Sequence, residues 1–202
     1  ETGIAVLGYL GDFRYEAMLV SGLDPNGFSS ENWIGSGRQK IFEVSKMTNP
    51  AVAARVEYSG IRNLRLAVSG YCGNTAKNSS KPYAMSGVKG TVAIGSFDAQ
   101  YMGRNLIARA NFVYGTVSDA KAIYDINRKY FNNTGYPITP FGKAAMAYGA
   151  EVGYDVLSWA NTRNRLFPFV RWEYYNTGQK IDRGAQELPR YKRDVFTVGL
   201  NY

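Results

Sequence analysis

Residues 52–66 read Val52-Ala53-Ala54-Arg55-Val56-Glu57-Tyr58-Ser59-Gly60-Ile61-Arg62-Asn63-Leu64-Arg65-Leu66. Val52, Ala54, Val56 and Tyr58 fall on one side of an extended chain, Arg55 and Glu57 on the other. Successive strand side chains point to opposite faces, so the spacing predicts a strand with one apolar and one polar face. Gly60–Asn63 reads as a turn. Beyond it, over residues 64–72, Leu64, Leu66 and Val68 oppose Arg65 and Ser69.

The same alternation spreads outward in both directions. In 13–20, Phe13, Tyr15, Ala17 and Leu19 oppose Arg14 and Glu16, and in 166–175, Pro168, Val170, Trp172 and Tyr174 oppose Arg171 and Glu173. Weaker copies run over 3–10 (Ala5, Leu7 and Tyr9 as the apolar side), 91–101, 105–115, 144–156 and 192–202. This makes about nine strands of roughly ten residues, the length that crosses a bilayer at a tilt.

The connections alternate in length. Short ones fall at Gly11–Asp12, Gly60–Asn63, Met102–Arg104 and around Ser158–Arg165; long ones fall near Asp24–Pro50, Asn74–Lys89, Thr116–Gly142 and Asn176–Pro189. A transmembrane barrel has tight periplasmic turns and long outer loops, whereas a soluble barrel or sandwich has no reason to lengthen every second loop. The expected fold is therefore all-β: a transmembrane antiparallel up-and-down β-barrel domain over residues 1–202, incomplete at both ends. Asp24-Pro25-Asn26-Gly27 and Asn133-Thr134-Gly135-Tyr136-Pro137 read as surface turns, and 118–131 as a short helix capped by Ser118.

Composition narrows the function. Aromatics make up 14% of the 202 residues, with 16 tyrosines, a residue suited to an oil–water boundary. Tyr9, Tyr15, Tyr58, Tyr101, Tyr114, Tyr148, Tyr154, Trp172, Tyr174 and Tyr202 are expected on the outward face as interface girdles. The formal charge is +8, but the basic residues are dispersed. The nearest cluster, Arg190, Lys192 and Arg193, is too small for a nucleic-acid footprint. Histidine is absent and Cys72 is the only cysteine, which removes Ser-His and Cys-His chemistry and the usual metal spacings. Glu16, Glu57 and Glu173 each lie two residues from an arginine on the same face, which suits an ion pair better than a general acid. The expectation is a non-enzyme with no cofactor and no metal.

The polar faces collect Arg14, Glu16, Arg55, Glu57, Arg65, Asp98, Arg109, Glu151, Arg171, Glu173 and Arg193. If the apolar faces meet lipid, these line the interior, where an arginine excess lowers the cost of passing anions. Arg-x-Glu spacing also suits cross-strand ladders that brace the wall. Arg65, Arg109 and Arg193 have no acid two residues away and are expected to supply free positive potential.

Gly3-Ile4-Ala5-Val6-Leu7-Gly8, Leu10-Gly11-Asp12-Phe13-Arg14-Tyr15-Glu16, Val20-Ser21-Gly22-Leu23-Asp24, Gly35-Ser36-Gly37-Arg38-Gln39-Lys40 and the run Ala54–Leu66 resemble phosphate-selective-type porins of Bacteroidota. The resemblance implies a barrel of roughly sixteen to eighteen strands in the outer membrane of a Gram-negative cell. It implies passive diffusion of small polar or anionic solutes, with lipid as partner and a homotrimer or accessory complex as the assembly. A non-conducting structural or adhesive barrel and a soluble ligand-binding β-sandwich are the alternatives.

Overall fold

The computed structural model describes residues 2–39, 45–130, 139–160, 162–181 and 191–202. Nine strands form one antiparallel sheet in strict chain order. They are β1 (Gly3–Leu10), β2 (Phe13–Ser21), β3 (Pro50–Tyr58), β4 (Leu64–Gly73), β5 (Val92–Met102), β6 (Leu106–Val117), β7 (Ala144–Tyr154), β8 (Phe167–Lys180) and β9 (Lys192–Asn201). The sheet is open, with β1 and β9 at its edges. Each strand lies where the alternation predicts it. The tightest turn, Gly11-Asp12, joins Leu10 to its partner Phe13, and Gly11 takes a φ of 59° that a side chain would resist.

Directly opposed residues share a face, so the register assigns faces without reference to hydrophobicity. Phe13 pairs with Tyr58, Tyr58 with Leu66, Val56 with Val68, Val68 with Phe97, Phe97 with Phe112 and Phe112 with Tyr148. This apolar face continues through Val152, Val170 and Val198. No second sheet covers it among the described residues. Large side chains stand in the open from one edge to the other, Ile4 at 73%, Val68 at 59% and Val198 at 79% exposure.

One face assignment from sequence is corrected. Tyr9 pairs with Arg14, Leu7 with Glu16 and Ala5 with Met18, which puts Ala5, Leu7 and Tyr9 on the polar face; Ile4, Val6 and Leu10 carry the apolar one. Both sides of β1 are apolar, so its sequence holds no charge to set the phase. Tyr9 therefore leaves the outward aromatic set. The others keep the parity expected of them.

The buried core lies in the long connections. Leu23, Phe28, Trp33, Ala76, Met85, Ala120, Ile123 and Phe141 cluster with Val92 and Val117 at the ends of β5 and β6. Three long connections are bonded together at one point. Asn26 donates to the Asn127 side chain at 3.0 Å and accepts from the Ser79 hydroxyl at 2.8 Å. Tyr191 donates to Ser30 at 2.8 Å, which ties in the fourth. The described parts of the long connections thus form one folded cap at a single end of the sheet, and the short connections lie at the other.

The cap departs from the expected surface loops. Pro25 is buried within 24–27, while 133–137 lies outside the described residues, as does Arg190. The helix α1 covers Ala120–Tyr130. Ser118 does not cap it: its hydroxyl accepts instead from the Thr91 N–H at 2.8 Å, joining the neighbouring connection. The β7–β8 connection is longer than a tight turn. It is held by Asp155, whose carboxylate accepts from the Leu157 and Leu166 amides, each at 3.1 Å.

Candidate functional site: the polar wall

The register brings every charged candidate to one face of the sheet, in ordered rows. Nearest the cap, Met18, Ala53, Tyr71 and Ile94 align. The next row holds Glu16, Arg55, Ser69 and Ser96, and continues through Val113, Ala147, Tyr175 and Arg193. Arg14, Glu57, Ala67, Asp98, Asn111, Gly149 and Glu173 follow. Arg65, Gln100, Arg109, Glu151 and Arg171 stand closest to the short turns. Small residues separate the charges, leaving the long side chains room to reach over intervening strands.

They reach one another in two networks. In the first, Arg55 grips Asp98 at 2.9 Å and lies 3.6 Å from Glu57, which also meets Arg65 at 3.8 Å. In the second, Glu151 receives Arg109 at 3.2 Å and Arg171 at 2.6 Å, and Arg171 lies 3.9 Å from Glu173. Arg14 and Glu16 sit 3.9 Å apart.

Two arginines expected to be free are therefore paired. Arg65 and Arg109 find their acids on neighbouring strands, at Glu57 and Glu151, where spacing within one strand cannot reveal them. Arg193 lies on the same face and donates toward the Tyr175 hydroxyl at 3.4 Å. Gln100, which accepts from Arg65, and Ser69, which accepts from Arg55 at 3.0 Å, join the wall although a search for charges passes over them. Their signal is parity in the alternation. Tyr175 joins by register alone.

The wall holds a groove of about 500 Å³ bounded by Arg65, Asp98, Arg109, Glu151, Arg171 and Glu173. The cap sits on this same face, since its core packs against Tyr71, Ile94 and Ala145. Within the cap, burial holds the Asp24 carboxyl above its ordinary value, against the opposing pull of the Asn26 amide and Lys46. Among the described residues no cluster of His, Cys, Asp and Glu has metal-binding form, and no helix is long and apolar enough to cross a membrane.

No family model, no curated protein and no solved structure matches the chain. Its reading rests on its own geometry.

Proposed function

We propose that the chain forms part of the wall of an outer-membrane β-barrel that lets small polar or anionic solutes diffuse through its interior. The observation that carries this reading is the two-faced sheet: one face is charged and grooved, the other apolar, open and uncovered over nine strands. Lipid is the natural cover for such a face. Phe13 and Tyr58 lie 4.9 Å apart near its short-turn end, with Tyr154 beside Trp159 at 5.7 Å. Tyr148 stacks on Tyr174 at 4.8 Å nearer the cap. The seven residues from Phe13 to Leu19 span roughly 20 Å, on the scale of a bilayer's apolar band.

Lipid offers no hydrogen bonds to a sheet edge, so the proposal carries with it a closed barrel in which β1 and β9 are paired. The porin-like sequence runs around 3–24, 35–40 and 54–66 point the same way. The folded cap on the polar face favours a second reading, a barrel of structural or adhesive role whose interior is closed. Reconstitution in a planar bilayer separates the two: the first expects stepwise ohmic currents, the second none.

A further inference from the structure

Between the cap and the charged rows lies a recess of about 320 Å³. Met18, Ala53, Tyr71 and Ile94 make its apolar lining, the last two continuous with the cap's core. Glu16 and Arg55 also line it. They are direct register partners on β2 and β3, a relation that sets Cα atoms about 5 Å apart. Yet Arg55 turns to Asp98 at 2.9 Å, and the Glu16 ion pair among the described residues is a loose one to Arg14. A carboxylate and a guanidinium thus stand side by side at the mouth of an apolar hollow.

We propose that this recess binds a small zwitterion with an apolar side chain, an α-amino acid of the leucine type. Its ammonium meets Glu16, its carboxylate meets Arg55, and its side chain lies against Met18, Ala53, Tyr71 and Ile94. The inference rests on the polar face being a solute path and names a solute class for it. An α-amino acid carries both charges on one carbon, a separation that suits two groups on register partners. An apolar anion would bring its carboxylate among Glu16, Asp98 and Glu57 with no ammonium to offset them; the zwitterion brings that ammonium, while its carboxylate takes the Arg55 donors that Asp98 and Ser69 leave. Asp98 and Ser69 take three of the five N–H donors of Arg55, so the guanidinium is oriented before a ligand arrives.

Calorimetric titration of the full chain in detergent tests this with leucine, glycine and 4-methylpentanoate, the last two lacking the side chain and the ammonium respectively. Leucine should bind more tightly than glycine by about tenfold or more, given what burial of a branched side chain contributes, and more tightly than 4-methylpentanoate, which has no ammonium to meet Glu16. Ala53→Phe fills the hollow without touching a charge and should abolish leucine binding. Glu16→Gln should bring leucine close to 4-methylpentanoate. KCl conductance of the same preparations reads the path separately. Conductance without a leucine preference overturns the recess and leaves the pore; a leucine preference without conductance upholds the recess and removes the pore. Leucine binding that neither variant weakens overturns the assignment of the site.

Discussion

Arg55 on β3 and Asp98 on β5 meet over the strand between them, in paired hydrogen bonds of 2.9 and 3.0 Å. β4 makes this reach feasible because it offers only Ser69 and Ala67 at the two crossing positions. A two-pronged guanidinium–carboxylate contact fixes direction as well as distance, so this one pair sets three strands against each other. Asp98→Asn should lower stability by about 1–3 kcal/mol, the range for losing one partner of a charged hydrogen bond. Arg55→Lys should not recover it, since an ammonium cannot reproduce the fork. Urea unfolding in detergent reads both; an unmoved midpoint for Asp98→Asn would show that the pair does not brace the wall.

The cross-strand pairing of Arg65 and Arg109 changes what their removal should do. With acids at 3.8 and 3.2 Å, each arginine is locally balanced, and the proposed pore, unmodified, should favour anions only weakly. Replacing both with glutamine removes two positive charges while Glu57 and Glu151 remain. Reversal potentials in a low-salt gradient should move toward cation selectivity, and about 1 M salt should erase the difference. Unchanged selectivity would mean that the charged rows do not face the conducting path.

Asn78 is only 1% exposed. It donates to the Leu23 and Asn49 carbonyls at 3.2 and 2.9 Å and accepts from the Asn49 amide at 2.9 Å. Asn78→Ala leaves the Leu23 carbonyl and the Asn49 amide without this partner, while the Asn49 carbonyl keeps the Gly22 amide, a loss of about 1–3 kcal/mol. Limited proteolysis should then cut within 24–50 sooner than in the unmodified chain. On intact cells the same protease should reach this segment and spare Gly11–Asp12.

The Asp24 carboxyl has its pKa raised above 3.8 by burial, so the folded cap binds this proton better than an unfolded one. The stability it contributes is full below 3.8 and is lost as pH rises through the raised value. Protease resistance of the cap should decline over that interval, and Asp24→Asn should flatten the decline while keeping the acceptor for the Asn26 amide.

How much of this was legible in the sequence follows from where the charges stand. Arg14 and Glu16, or Arg55 and Glu57, fix the phase of their strands because lipid-like and water-like residues alternate around them. β1 has no such marker, so alternation alone puts Tyr9 on the wrong face. Placement of the strands needs only local periodicity, but pairing needs register, which a single strand does not contain; hence Arg65 and Arg109 appeared free. The cap was hidden for a different reason. Its interior is held by Asn26, Asn78, Ser79 and Asn127, residue types that read as solvated turn formers until their partners on other connections are known.

The central claim is that one face of the sheet meets lipid and the other water. The most direct measurement is a nitroxide scan along residues 52–58 and 64–69 of the protein in lipid vesicles, on a Cys72→Ser background because Cys72 is exposed. Labels at Val52, Val56, Leu66 and Val68 should collide with dissolved oxygen and be shielded from a water-soluble nickel chelate. Labels at Ala53 and Ser69 should show the reverse, in strict alternation. Equal access of the nickel chelate to both sets would contradict the account.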